Sequence, residues 1–445
     1  MCMEREQILE MLEERNFKEL KEVLENMHPF DIAEMLEELD DKQMILIFRL
    51  LAKDEAAEAF TEMNSEMRQT LLNVLTDSEI KEFMDEMYLD DTVDVLEEMP
   101  ANVVDRLLMA TDEETRKQIN TLLNYPEDSA GSIMNVEYIA FNKEMTVEEA
   151  ILKIRQVGLN RETIYTCYVL EKRKLIGAVS LKELLTSGDN RTIEEIMETN
   201  VLYVHTHDDQ EEAVNIISNY NLIALPVVDN DMRMVGIVTV DDAMDVMEEE
   251  ATEDMSMMAG IVAPSEESYF ETSTWKHAKS RFPWLLFLML SATISGLVLG
   301  SFEEVLLTMP ILNTFVPMLT GTGGNCGSQS STLIIRGIAT EEIEFRDILR
   351  VLFKELRVAI LVGAMLAVVN GIRILIMYNG NVMLAVTLGI TLICTVILAK
   401  VIGCVLPLVA KKVGLDPALM AAPLITTLVD TGTILLYFTI ATKIM

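Results

Sequence analysis

The sequence predicts a multidomain chain: an all-α N-terminal domain of helical repeats, a tandem α/β pair, an acidic connecting helix and an α-helical transmembrane domain of five helices. Three observations predict it. Residues 1–270 hold 62 acidic and 22 basic side chains, a net charge near −40, whereas residues 271–445 hold 10 and 13, near +3. Stretches of the acidic part recur at offsets of 60 and 63 residues. Apolar runs long enough to cross a bilayer begin only after residue 280.

From Glu4 to about Pro126 helix formers dominate, and Asp31-Ile-Ala-Glu-Met-Leu-Glu-Glu-Leu39 recurs as Asp91-Thr-Val-Asp-Val-Leu-Glu-Glu-Met99. Such self-similarity predicts stacked helical repeats sharing one apolar seam. Next, Ile133-Met134 recurs as Ile196-Met197, and Thr146-Val-Glu-Glu-Ala150 as Asp209-Gln-Glu-Glu-Ala213. Each copy runs through a helical stretch into two β-branched segments, Tyr165 to Leu170 then Leu175 to Ser180, and Ala224 to Val228 then Met234 to Val240. The pair reads as two α/β modules, each burying a face the other leaves open. The expected boundaries are 1–128, 129–195, 196–245, 246–278 for the acidic helix and linker, and 279–445.

The five expected spans are Phe282 to Phe302, Pro310 to Ile335, Leu356 to Tyr378, Val382 to Ala410 and Pro417 to Thr442. Basic residues flank the first span, the loop after the second and the end of the fourth, while the opposite loops carry Glu303, Glu304 and Asn379-Gly-Asn381. This bias predicts a cytoplasmic N-terminal part and an outward C-terminus, in the cell (inner) membrane. Arg373 is close enough to a span's end to snorkel, and Lys400 is expected to face protein or water. Asp416-Pro417 reads as an N-cap and first-turn proline starting the last helix. The cysteines, Cys2, Cys167, Cys326, Cys394 and Cys404, lack paired spacing, so neither a disulfide framework nor a zinc site is expected. The strong negative charge of the first part makes nucleic acid a poor partner and divalent cations natural ones. His205 and His207 have no accompanying nucleophile, so no enzyme is indicated.

Asp430 is the only charged residue in the 26 residues from Pro417 to Thr442 and sits near their middle. A carboxylate there costs about 2.5–3.5 kcal/mol on insertion scales, so it is expected to face a water-filled path or a partner. Thr426, Thr427 and Thr433 fall on the same helical face, and Pro423 is expected to release the carbonyl of Leu419.

The tandem copies resemble CBS domains through the corners Gly177-Ala-Val-Ser180 and Gly236-Ile-Val-Thr239-Val-Asp-Asp242. The whole order resembles the MgtE magnesium channels and transporters, most specifically at Gly323-Gly-Asn-Cys-Gly-Ser-Gln329, Asp416-Pro417 and Pro423-Leu-Ile-Thr-Thr-Leu-Val-Asp430. The resemblance implies a homodimer in the lipid bilayer that passes Mg2+ and closes when Mg2+ binds its cytoplasmic part.

Mg2+ prefers six oxygens and sheds water reluctantly, so the expected pore ligands are Asp430, Thr426 and Thr427, with Asn325 and Gln329 from the second span. Asn325, Ser328, Gln329 and Thr332 share one helix face, and Gly321, Gly323, Gly324 and Gly327 permit close approach. The expected regulatory cluster comprises Asp90, Asp91, Asp94, Glu211, Asp242, Asp245, Glu249, Glu250, Glu253 and Asp254, whose carboxylates repel without cation. Asn221 stands where related chains can have an acid. Thr239 and Asp242 are also candidates for holding ATP at the CBS pair. The alternatives are a transporter of another divalent cation (Co2+, Mn2+ or Ca2+) and a membrane-anchored nucleotide or metal sensor.

Overall fold

A computed structural model describes residues 8–12, 14–99, 101–111, 113–261, 269, 272–340, 342–420 and 422–445. It divides into two compact units between Glu248 and Glu249. Cys2 lies outside the described residues.

The first unit begins with short helices: α1 Phe17–Leu24, α2 Pro29–Glu37, α3 Asp41–Phe48, α4 Lys53–Thr61, α5 Ser65–Val74, α6 Asp77–Met84, α7 Leu89–Glu98, α8 Ala101–Ala110 and α9 Glu113–Leu122. Side-chain caps punctuate them. Asp40 Oδ1 accepts from the amides of Lys42 and Gln43 at 3.0 and 2.9 Å, Asn64 Oδ1 from Met67 at 2.9 Å, and Thr76 pairs with Glu79 in a capping box. The sequence echo corresponds to α2 and α7. Their apolar faces meet in one core, in which the rings of Phe48, Phe60 and Phe83 lie 4.9–6.2 Å apart.

The two α/β copies have the same topology. β1 Ala140–Phe141 pairs parallel with β2 Thr166–Glu171, which pairs antiparallel with β3 Lys174–Ser180; β4 Val204–His205, β5 Ala224–Val228 and β6 Met234–Thr239 repeat this order. The leading parallel strands have two residues each, too short to leave a periodic signal. Helices α10 Val147–Val157, α11 Leu181–Thr186 and α12 Ile193–Ile196 serve the first copy, and α13 Gln210–Tyr220 the second. The copies meet at Tyr168, fully buried, whose hydroxyl donates to the carbonyl of Ala224 at 3.3 Å. Asn221 closes α13 in the left-handed region at φ 53°, a position that suits asparagine locally. From β6 the chain enters α14 Val240–Met258, which crosses the division between the units.

The second unit holds α15 Thr274–Gly300, the short α16 Glu303–Thr308, α17 Val316–Ala339, α18 Ile348–Met377, α19 Val382–Val413 and α20 Ala422–Ile444. By length and composition, α15 and the segments Phe345–Met377, Val382–Val413 and Pro417–Ile444 can each cross a membrane. The second expected span differs from these four. It opens as a 3-10 turn at Pro310–Phe315, and its helix α17 carries so many Gly, Ser, Thr, Asn and Gln residues that it lacks their apolarity. It is packed instead against α19 and α20.

Three further boundaries depart from expectation. α15 starts eight residues before Phe282 and carries Pro283 within it. α18 starts eight residues before Leu356, which takes Glu355 into the helix. Asp416 Oδ1 accepts from Ala418 at 2.6 Å and caps a 3-10 turn at Pro417–Met420, not the long helix. Pro423 therefore lies in the first turn of α20, where a missing N–H breaks no helical bond. The expected release of the Leu419 carbonyl by an interior proline is corrected accordingly.

Gly260, at φ +75°, ends the turn after α14 with the Trp284 ring so close that a Cβ would overlap it. Gly403 of α19 lies against the Gly327 carbonyl of α17 with no room for a side chain.

Candidate functional site

Asp430 is half-buried on α20. Among the described residues no side chain donates to it or forms an ion pair with it. One face of α20, through Ile425, Thr426, Val429 and Thr433, packs on the glycine face of α17; a Cβ on Gly324 would stand 2.5 Å from Thr426 Cγ2. The threonine hydroxyls turn back to their own helix: Thr426 Oγ1 donates to the Pro423 carbonyl at 2.8 Å and Thr427 Oγ1 to that of Leu424 at 2.8 Å. Thr433 is buried in the helix contact, so the wet hydroxyl stripe expected through Thr433 is corrected. Gly321 faces open space and plays no part in the close approach.

Asn325, Gln329 and Thr332 are exposed on α17, with Ser328 half-buried beside them. With Val358 and Val362 of α18 and Lys400 of α19 they line a groove of about 800 Å³. Asp430 is not among its lining residues, so one protomer does not gather the amides and the acid into a single site. Lys400 faces protein, as expected of an intramembrane lysine, and its partner is Glu355. Arg373 is exposed, its guanidinium 2.9 Å from Met318 Sδ.

In the first unit, Asp90 and Asp91 of α7 approach Asp242 of α14 and the loop residue Glu162. Burial, then the charge of Asp91, pushes Asp90 up to about 7; its Oδ1 is buried without a hydrogen-bond partner among the described residues. Burial, then Asp242, pushes Asp91 up to about 6, opposed by Arg68. Asp242 is pushed up to about 7 by burial and then by Asp90, and Glu162 up to about 8 by the same causes. Asn135 Nδ2 donates to Glu162 Oε2 at 3.1 Å, and Thr239 Oγ1 donates to Asp242 Oδ2 at 2.5 Å. Thr239 and Asp242 thus hold each other across the first turn of α14.

Asp94 and Glu211 are exposed, as is Asp245, which is raised by partial burial and by Asp241 and Glu248. Glu249, Glu250, Glu253 and Asp254 occupy later turns of α14, in the second unit. There Asp254 is raised by burial first and then by Asp416. Among the described residues no three acidic, histidine or cysteine side chains are disposed to hold one metal ion. The donors present, all carboxylate oxygens with one buried and unpartnered, nevertheless suit a hard divalent cation.

Residues 316–440 match the family model described as MgtE, a divalent cation transporter; 27–128 match the MgtE intracellular N domain, and 130–188 and 193–249 match CBS domains. The chain is 39% identical over 358 residues to the magnesium transporter MgtE of Thermus thermophilus, 79% of each chain being covered. The chain belongs to the MgtE family. It is 35% identical to the MgtE of Bacillus subtilis over 360 residues, 81% of this chain and 79% of that one. A crystal structure of the cytosolic domain of the Mg2+ channel MgtE in complex with ATP is similar at TM-score 0.52 and 37% identity, covering 54% of this chain and 99% of that chain. The soluble part of a magnesium transporter is similar at TM-score 0.53 and 30% identity, covering 56% and 98%. MgtE proteins are multi-pass membrane transporters and not enzymes, in line with the sequence expectation.

Two participants escaped the sequence reading. Glu162 lies in the loop Arg161-Glu162-Thr163, with no periodicity or motif to mark it, and only folding brings it to Asp90. Glu355 sat among the charges of a presumed loop, and its link to Lys400, 45 residues away, has no sequence signal.

Proposed function

We propose that this MgtE protein conducts Mg2+ as a channel, with Asp430 of two protomers anchoring the hydrated ion at a homodimer axis, and that Mg2+ on its acidic cytoplasmic part closes it. One observation carries the reading: Asp430 stands mid-helix in a segment able to span a membrane, half-buried, with no ion pair and no side-chain donor bonded to it among the described residues. An ion that needs a negative anchor and brings its own water suits such a group. The hydroxyls of Thr426 and Thr427 donate to their own backbone, and Asn325 and Gln329 extend the polar wall.

Regulation rests on repulsion. Asp90, Asp91, Glu162 and Asp242 come from a helix of the N-domain, the first CBS copy and the start of α14, so their mutual repulsion acts between those parts. Divalent cations neutralise it; Asp94 of α7 and Glu211 of α13 add to the negative charge of the first unit, and Asp245, Glu249, Glu250, Glu253 and Asp254 extend the same response along α14. The N-terminal part lies in the cytoplasm. ATP binds the CBS pair at Thr239 and Asp242, whose mutual hydrogen bond must open to admit it.

The pore assignment is tested by Mg2+ uptake into proteoliposomes: Asp430→Ala abolishes uptake while the protein still purifies as a folded oligomer, and undiminished uptake removes Asp430 from the pathway. Oxygen donors separate Mg2+ from Ca2+ poorly, so competition between Mg2+, Ca2+, Mn2+ and Co2+ in the same assay fixes selectivity.

A further inference from the structure

The second unit contains a buried charged contact that the reading above does not use. Lys400 on α19 is 5% exposed, and its Nζ donates to Ser330 Oγ of α17 at 2.9 Å and to Glu355 Oε2 of α18 at 3.2 Å. Ser330, wholly buried, donates to the same Oε2 at 2.6 Å. Lys400 also forms part of the groove wall that carries Asn325, Ser328 and Gln329.

Two opposed explanations of this triad differ in what they demand. As packing glue it needs no charges, because hydrophobic residues of similar volume generally hold buried helices as well as or better than an ion pair does. As an electrostatic device it needs both. The carboxylate and hydroxyl oxygens, behind a groove to which Asn325, Ser328, Gln329 and Thr332 bring polar groups among valines and a leucine, are the donor type that a hard divalent cation takes. The ammonium, a compact point charge on a flexible stem, is seated against them.

We propose that Glu355 and Ser330 form a latent divalent-cation site at the groove wall, and that Lys400 is the tethered counter-cation occupying it, which keeps the groove from holding Mg2+ tightly. This rests on the reading that the membrane unit conducts Mg2+. A pathway must bind its ion weakly enough to release it, and an internal cation that competes for Glu355 achieves that.

The test is a double-mutant cycle on the full-length protein: Lys400→Met, Glu355→Gln and the double variant, each read by Mg2+ flux into proteoliposomes and by thermal unfolding titrated with MgCl2. In Lys400→Met the Mg2+ concentration for half-maximal effect falls about tenfold or more in both assays, because a carboxylate directly behind the groove wall has lost its counter-charge. In Glu355→Gln it rises by a similar factor, and in the double variant it returns to within about threefold of wild type. Equal Mg2+ dependence in all four proteins overturns the proposal and leaves the triad as packing. Should Lys400→Met unfold on purification without divalent ions, restoration of its melting transition by MgCl2 but not by NaCl of equal ionic strength supports the site, and lack of restoration overturns it. Wild-type liposomes that pass no Mg2+ defeat the transport reading instead, and the thermal titration then judges this site alone.

Discussion

At the scale of single residues, the protein places carboxylates where water and counter-charges are scarce. Asp90, Asp91, Asp242 and Glu162 have raised pKa values of about 6 to about 8 in the fold, against roughly 4 in an unfolded chain. Between those limits the folded state binds more protons than the unfolded one, so stability falls as pH rises through the window and recovers on acidification towards pH 5. A divalent cation relieves the same repulsion. The stabilisation given by MgCl2 is therefore expected to be larger at pH 8 than at pH 6, which melting curves at both pH values will show; the opposite order would remove this cluster from the sensor. Asp90→Asn, which keeps the shape and deletes a charge, is expected to raise stability at pH 8 without divalent ions by about 1–2 kcal/mol and to reduce the Mg2+ response. Chemical denaturation without and with MgCl2 checks both.

At the scale of elements, α14 and the α17–α19 contact carry the argument. α14 places Asp242, Asp245 and Glu249 within two turns, so neutralising all three should leave its helix intact while removing the charge that responds to cation. The triple variant Asp242→Ala, Asp245→Ala, Glu249→Ala is expected to conduct at Mg2+ concentrations that close the wild type; patch recordings with Mg2+ varied on the cytoplasmic face measure this, and unchanged closure refutes the gate. The α17–α19 contact depends on bare backbone. A methyl at Gly403 meets the carbonyl of Gly327, which cannot swing aside as a side-chain end would. Gly403→Ala should destabilise the membrane unit by about 1–3 kcal/mol, seen as a lower melting temperature in detergent, whereas Gly321→Ala, facing open space, should not. Element types were legible because helical period, repeats and apolar runs are local signals. Element ends were less so: α18 begins before its apolar run, and α20 begins after Pro417, because capping turns and charged first turns leave little periodic trace.

At the scale of the whole molecule, two compact units sit on one chain, and the acidic excess is concentrated in the first. In the isolated protomer α15 has no buried residue and Asp430 lacks a partner among the described residues, and the proposed dimer gives both a reason. Light scattering of the purified chain, 50.1 kDa by sequence, is expected to report two copies per particle after subtraction of detergent; a monomer that still passes Mg2+ would refute the shared axis. The order of domains, the repeat pairs, the apolar spans and the lone acid of the last span follow from composition or spacing along the chain. Which charges meet does not, because it depends on how the elements pack. Glu162 reaches Asp90 and Glu355 reaches Lys400 through packing between elements far apart in sequence, and burial, which turns an ordinary carboxylate into one that holds its proton near neutral pH, is a property of the assembled surroundings and not of any residue alone.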